Sequence, residues 1–412
     1  MKLNLIRLTA PFLCLLVIVL FGNTAHGDQQ KLIALTNAHI FNGSDHQIFE
    51  DRTVLVSDGI IRRIIDAGDE IPAGYEVVDC EGNYLMPGLI DAHTHVDSLE
   101  NARRALESGV TTLRTAGVPA YQDVALAAMA KAGKIAGPDV VAAGVYVTPN
   151  LEESILADPR LARLADGVYS DDDLRHLVRV NLERGATVIK TRGTERAGRA
   201  DTDPREQVYT RHQLEVVIDE ATKGGVPVMV HAHGDEGARA AVLAGAASIE
   251  HGSYLEAETL ELMKARGTFL VPTYITMFEM LEEQYEGALR ARGTYMVPRL
   301  EKVIQMAHEM GVRIATGADN YYEKQSINRI SLEVWHLNRL GLTPFEALQA
   351  ATVNSAELLG LGHQTGQIST GFEADMILIP SNPLEDVAAL QDILLVISNG
   401  RMAVKRIPFA KR

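Results

Sequence analysis

Cysteine is nearly absent. The 412-residue chain has two, Cys14 and Cys80, so neither a disulfide scaffold nor a cysteine-rich zinc module is available. Basic tracts are missing too: 39 Lys and Arg stand against 54 Asp and Glu, a formal charge of −15. That balance argues against nucleic acid or anionic lipid as a partner held by bulk electrostatics. No apolar run is long enough to cross ~30 Å of hydrocarbon, the ten residues Phe12–Phe21 falling short, so no stable membrane anchor is expected and an uncleaved one is the weaker reading. No solenoid period and no low-complexity stretch is present. What remains is ordinary globular composition, 46% apolar and 23% charged. The chain exceeds the ~250–300 residues of one hydrophobic core, so two cores or one large barrel are expected.

Residues 1–27 read as an export signal. Lys2 and Arg7 open it, Phe12–Phe21 is its apolar centre, and Ala25 and Gly27 suit cleavage near Gly27. The expectation is a secreted or periplasmic protein in which Cys80 stands alone.

Short strands with turn chemistry follow over 31–86, with Asp58-Gly59 between two of them, and Asn399-Gly400 closes a hairpin near the C-terminus. These strand-rich ends predict a small composite β-sandwich domain from 28–86 and 360–412. The middle, 87–359, alternates apolar strands with helices. Expected strands are Gly88–Ala92, Thr111–Thr115, Val140–Tyr146, Thr187–Thr191, Val226–His231, Ser248–Glu250, Thr268–Pro272 and Arg313–Thr316. Continuous apolar runs suit strands buried on both faces, and eight such units predict an α/β fold, a (β/α)8 TIM barrel. Between the units lie helices such as Asp172–Arg184 and Pro298–Glu309, and Asp171-Asp172-Asp173 reads as a helix start. Leu151–Asp173 is a long connection, either a lid or an irregular segment with one short helix.

In an extended segment residues i and i+2 point the same way, so His93 and His95 of Asp91-Ala92-His93-Thr94-His95 aim together from the first barrel strand. Lys190, His231, His251 and Asp319 fall at four further strand ends, with His233 two residues beyond His231. Four histidines, one aspartate and one lysine at C-terminal strand ends converge on one mouth. Without thiolates, imidazole and oxygen ligands point to zinc first, then manganese, iron or cobalt. Burial and nearby metal charge would leave the Lys190 amine neutral, able to add carbon dioxide and bridge two ions as a carbamate. His39, His46, His176, His308, His336 and His363 read as structural or surface residues.

The arrangement His-x-His, Lys, His, His, Asp resembles the amidohydrolase superfamily over nearly the whole chain after residue 27. Thr111-Thr112-Leu113-Arg114, Val230-His231-Ala232-His233-Gly234, Ile249-Glu250-His251-Gly252 and Val271-Pro272-Thr273 are similar to its imidazolonepropionase-like and prolidase-like branch. That branch includes zinc Xaa-Pro dipeptidases, carboxypeptidases and enzymes that hydrolyse the amide of ochratoxin. One departure stands out: Thr148-Pro149-Asn150-Leu151-Glu152-Glu153 occupies the place where relatives often carry Gly-Gly-His.

The resemblance implies His93, His95 and Asp319 on one Zn2+, His231 and His251 on a second, and carboxylated Lys190 between them. It further implies hydrolysis of an amide in a dipeptide or N-acyl amino acid by metal-activated hydroxide, and a homo-oligomer. Asp319 is the expected general base and acid, and His233 the expected donor to the developing oxyanion. The segment after Lys190 is basic, with Arg192, Arg196, Arg199 and Arg205. Arginine suits bidentate carboxylate recognition, so Arg192 first, with Tyr209 beyond it, is the expected substrate contact. Cyclic-amide hydrolysis or deamination is the alternative within the superfamily, Lys190 counting against the mononuclear deaminases. A non-catalytic ligand-binding scaffold is the alternative of another class.

Overall fold

Five strands open the chain in the computed structural model, which describes residues 32–285, 287–326 and 328–407. The segment 1–27 and Cys14 lie outside the described residues. The strands are β1 (Leu32–Phe41), β2 (Ile48–Ser57), β3 (Ile60–Asp66), β4 (Glu76–Asp79) and β5 (Tyr84–Pro87). The Asp58-Gly59 turn joins β2 to β3 with φ of 53° and 78°, two successive left-handed residues that match the twist of a tight hairpin. β5 was not expected from the sequence, its four residues being too short to separate from the strand after it.

The middle alternates as predicted. It runs β6 (Leu89–Thr94), α1 (Leu99–Glu107), β7 (Val110–Thr115), α2 (Gln122–Lys131) and β8 (Asp139–Val141). Then come α3 (Asp171–Arg184), β9 (Ile189–Arg192), α4 (Arg211–Lys223), β10 (Val228–Gly234), α5 (Asp235–Ala244), β11 (Ser248–Tyr254), α6 (Ala257–Arg266) and β12 (Phe269–Val271). Helices α7 (Tyr274–Glu279), α8 (Gly287–Met310), α9 (Ile330–Arg339), α10 (Pro344–Ala350) and α11 (Val353–Leu358) follow. Local chemistry explains the ends. The Ser170 hydroxyl accepts the Asp173 N–H, three aspartates oppose the α3 dipole, and Gly185 at φ 104° stops the helix. Thr210 and Gln213 cap α4 reciprocally.

The strands form two parallel ladders, β6-β7-β8 and β9-β10-β11-β12. Val147 pairs in parallel with Thr191, and Leu270 with Ile314. The Ala92 N–H donates to the Thr316 carbonyl at 2.9 Å. Two expected strands are much shorter than predicted. Beyond Val141 the Asp123 carboxylate takes the Ala143 and Gly144 N–H groups, and the Asn181 amide brackets Val145, so side chains replace a ladder. Arg313–Thr316 makes a single bridge, its Thr316 hydroxyl donating across to the Ile90 carbonyl. Pro298, the expected start of a helix, lies inside α8 instead. The segment 149–173 holds two 3-10 turns, Glu152–Ala157 and Pro159–Leu164, rather than one helix.

The chain returns through β13 (Met376–Ile379), β14 (Leu395–Ser398) and β15 (Arg401–Lys405). With the first five strands they make one sheet, ordered β15-β14-β13-β5-β1-β2-β3 with β4 beside β1. Asn399-Gly400 is the second tight hairpin, and a Cβ on Gly400 would lie 2.5 Å from the Gly59 Cα, so the two turns meet only because neither carries a side chain there. Cys80 is buried in this sheet's core, where burial first and Asp79 second push its thiol up to about 12, leaving it unreactive.

Candidate functional site

His93 lies on β6 with His95 just after it, Lys190 lies on β9, His231 and His233 on β10, and His251 on β11. Asp319 follows the 313–316 segment. Their imidazoles meet: ring centroids of His231 and His251 are 4.5 Å apart, His233 and His251 4.7 Å, and His93 and His251 5.0 Å. Ligand atoms of His231, His233 and His251 lie within 4.8 Å of one another, as do those of His93, His251 and Asp319. The two groups share His251.

Hydrogen bonds fix which nitrogen each ring offers. His93 Nδ1–H donates to Glu250 at 2.6 Å, and His95 Nδ1–H to the Gly117 carbonyl at 2.9 Å. The Thr273 hydroxyl donates to the Pro272 carbonyl and so accepts from His251 Nδ1–H at 2.7 Å. In the neutral ring all three therefore leave Nε2 for a ligand. His231 is reversed, its Nε2–H donating to the Glu195 carbonyl at 3.0 Å and leaving Nδ1 free. His233 differs in kind: its Nδ1 faces the Ser253 hydroxyl, which can donate or accept.

The free nitrogens converge on negative charge. Asp319 Oδ1 lies 3.1 Å from His95 Nε2 and 3.4 Å from His93 Nε2. With both Nδ1 atoms protonated, three lone pairs face one another, an arrangement that requires a cation or an extra proton between them. Burial opposes the charge on Asp319, but a proton shared with His93 and His95 outweighs it and holds the carboxyl well below its usual range. Burial first, then neighbouring positive groups, lowers His231 and His251 well below 6.5, so they stay neutral and competent to ligate.

Lys190 is 2% exposed and its Nζ has no hydrogen-bond partner. Burial pulls its ammonium down to about 8, although Glu250 and Asp319 work the other way. Glu250 is unavailable to pair with it. That carboxylate accepts from His93, from Arg114 Nη2 at 3.0 Å and from the Ser248 hydroxyl; burial opposes its charge, but Arg114 and His93 bring it to about 2. An orphaned amine beside neutral imidazoles and a carboxylate is a donor set that fits a divalent transition-metal ion. Backbone strain collects in the same place: His251, Thr273 and Asp319 have φ of 74°, 46° and 47°, a cost of roughly 1–3 kcal/mol each.

Below the histidines, Asp91 accepts the N–H groups of His93 and Ala318 and the Tyr322 hydroxyl, joining the strand ends that carry His93 and Asp319. Burial raises it to about 7 in spite of these bonds. Asp91, Arg114 and Glu250 were missed as site residues. The available signal was a charge inside a strand that is buried along all or nearly all of its length.

A cavity of about 520 Å³ opens over the cluster. All seven residues His93, His95, Lys190, His231, His233, His251 and Asp319 line it; the two expected substrate contacts do not. Tyr209 is fully buried in the core with its hydroxyl on the Val168 carbonyl. Arg192 is 6% exposed, packed over the Tyr146 ring and paired with Glu195, because the inward-facing position on a short strand leaves its guanidinium behind the cavity wall. Arg196 and Arg199, farther along the same loop, take that wall. Arg199 is paired with Glu152 and Asp201, whereas the Arg196 guanidinium makes no hydrogen bond or ion pair among the described residues.

The amidohydrolase family model matches residues 84–403. The chain is 29% identical to the ochratoxinase of Aspergillus niger, the alignment covering 89% of this chain and 85% of that one. Its structure superposes on a putative prolidase from Bifidobacterium longum with a TM-score of 0.79 at 31% identity, covering 90% and 94% of the two chains. A Xaa-Pro dipeptidase with methionine bound in its active site superposes with a TM-score of 0.81 at 25% identity, covering 90% and 99%.

Proposed function

The chain belongs to the amidohydrolase family, in its prolidase- and ochratoxinase-like branch, and is a hydrolase of carbon–nitrogen bonds; from that premise we propose that it cleaves the amide of a dipeptide or N-acyl amino acid at a two-ion site. In this reading the linked ladders form one closed (β/α)8 barrel over 87–359, and the expected β-sandwich is replaced by one composite sheet drawn from both ends of the described chain. Export with cleavage near Gly27, and assembly into a homo-oligomer, belong to the same proposal.

His93, His95 and Asp319 would hold one zinc ion, His231 and His251 the other, with Lys190 as a carbamate between them. Bound there, the ions would supply positive charge to polarise the amide carbonyl and acidify a water molecule. Asp319, open to the cavity, takes the proton from the attacking water and returns it to the leaving nitrogen. With the Ser253 hydroxyl donating to Nδ1, His233 keeps a proton on Nε2 and offers it to the oxygen that gains charge. The buried walls around the cluster exclude bulk water and strengthen both interactions.

The observation that carries the substrate class is the unpaired Arg196 guanidinium on the cavity wall. The neighbouring Arg192, Arg199 and Arg205 all have carboxylate partners. A cation without a carboxylate partner, 5.7 Å from the Tyr146 ring centroid and beside a hydrolytic centre, suits the free carboxylate of an amino acid. The methionine held by the related Xaa-Pro dipeptidase carries such a group. The test combines metal analysis with a screen of dipeptides, N-acyl amino acids and lactams, each acid paired with its C-terminal carboxamide. One to two equivalents of metal and an acid preference of about tenfold or more, lost in Arg196→Gln, are expected. Equal turnover of acid and carboxamide by the parent enzyme would overturn the substrate class; metal content near zero would overturn the site.

A further inference from the structure

The loop that carries Arg196 is an arm between β9 and α4, held differently at its base and its tip. At the base, Thr194 pairs with Gln207, the Glu195 N–H donates to the Glu206 carbonyl and the Val208 N–H to the Gly193 carbonyl, both at 2.9 Å. The 196–202 tip has no such ladder. Its carbonyls turn instead towards one side chain on a distant helix. Arg292 of α8 donates to the carbonyls of Ala197 at 2.6 Å, Arg199 at 2.5 Å and Thr202 at 2.5 Å. The Thr202 hydroxyl, 2.6 Å from the Arg196 carbonyl, closes the tip from inside.

An arginine on a solvent-facing helix ordinarily pairs with a carboxylate or is hydrated. Arg292 has no ion pair among the described residues and spends its donors on three carbonyls of one turn. The planar fork suits this use, since its donors are fixed relative to one another and little further ordering is needed to meet several acceptors. The clamped residues follow directly on Arg196, and Ala197, Gly198 and Arg199 themselves line the cavity. Arg292 is absent from that lining. It therefore touches the cavity only through the loop.

We infer that Arg292 is a positioning residue for substrate carboxylate recognition: by clamping the 197–202 carbonyls to α8 it fixes Arg196 against the cavity without touching the substrate. The inference rests on the reading of Arg196 given above. Freeing the tip costs Arg196 its fixed place, so binding of the carboxylate weakens while the hydrolytic residues on β6, β10 and β11 keep theirs.

The experiment uses the metal-loaded full chain and the best acid substrate of the screen, with its carboxamide as the control. Arg292→Ala is expected to raise KM for the acid about tenfold, leave kcat within about twofold and leave the carboxamide unaffected. Arg292→Lys, which keeps the charge and three donors, is expected to fall between. In the Arg196→Gln background, Arg292→Ala should cost no further acid selectivity, because both act through one contact. Equal losses on acid and carboxamide, or an unchanged acid-to-carboxamide ratio with a lowered Tm, would make Arg292 structural and overturn the inference. Should Arg292→Ala fail to fold, Thr202→Val releases the same tip, and an unchanged acid KM there also overturns it. Failure of the Arg196 reading is separable: Arg196→Gln would then keep the acid preference whatever Arg292 does.

Discussion

Glu250 shows how one buried carboxylate sets the state of its neighbours. It accepts a hydrogen bond from His93 Nδ1–H, which leaves Nε2 for a ligand, and its charge is balanced by Arg114, whose Nε is tied to the Ala92 carbonyl at 2.6 Å. Because Glu250 is committed to these partners, Lys190 has no counter-ion in contact and its amine stays uncapped. Glu250→Gln keeps the size and an acceptor for His93 but removes the charge. A buried Arg114 then lacks its partner, a change expected to cost on the order of 3 kcal/mol of stability. The same change weakens the ligand character of His93, and metal affinity is expected to fall about 10- to 100-fold. Dialysis against graded chelator with metal counted per chain checks this; unchanged affinity at intact fold would show that the Nδ1 partner does not matter.

The elements of the site were readable where a single period dominates. The strands β6, β9, β10 and β11 announced themselves because apolar runs stop at His93, Lys190, His231 and His251, although β10 and β11 continue three residues beyond those histidines, and a period of two fixes which side chains share a face. The arm from 193 to 208 was not readable, since its path depends on close backbone contacts rather than on any pattern of side chains. That is why Arg192, nearest the strand, was the expected contact and Arg196 takes the wall. Likewise the expected strand Val140–Tyr146 ends early because Asp123 and Asn181, distant in sequence, bond its backbone. Glycines mark where the arm meets α5: a Cβ on Gly237 would lie 2.6 Å from the Gly193 carbonyl oxygen, and one on Gly234 2.6 Å from that of Arg205. Gly237→Ala therefore sets two effects against each other. Alanine gains ~1 kcal/mol of helix propensity, while a backbone clash that no rotamer relieves costs roughly 1–3 kcal/mol. The clash should win. The arm then lifts and Thr194, whose hydroxyl accepts the His233 N–H at 2.9 Å, moves with it. A fall in kcat/KM of at least about tenfold, with Tm lowered, is expected in kinetics and thermal melts; a Tm raised above the parent's would refute the close-contact account.

At the scale of the whole molecule, the pH response of stability should be set partly far from the cavity, where β8 meets the C-terminal strands. Asp139, Glu373 and Asp375 lie with carboxylate oxygens within 4.8 Å of one another. Asp375 is 2% exposed and accepts the Asn399 N–H and the Thr365 hydroxyl, both at 2.8 Å; Asn399 Nδ2 donates to Asp139 at 3.1 Å. Burial first and the Asp139 charge second raise Asp375 from 3.8 to about 7, and burial raises Asp139 and Glu373 as well. A raised folded-state value means the native protein carries an extra proton between the two values. The stability from that proton is complete below the unfolded value near 4 and is lost as pH rises through about 7. Ionising the group inside the fold costs on the order of 2–4 kcal/mol. Asp375→Asn keeps an acceptor for Asn399 and can still bond Thr365, but it has no charge to develop. The variant should match the parent near pH 5 and exceed it in denaturant midpoint near pH 8, flattening the alkaline side of the stability curve. Urea unfolding at the two pH values decides it. A parent whose stability is level from pH 5 to 8 would refute this account, and a variant that falls as steeply would place the pH response elsewhere, with Glu333, raised by burial to about 8, as the next carboxyl to substitute.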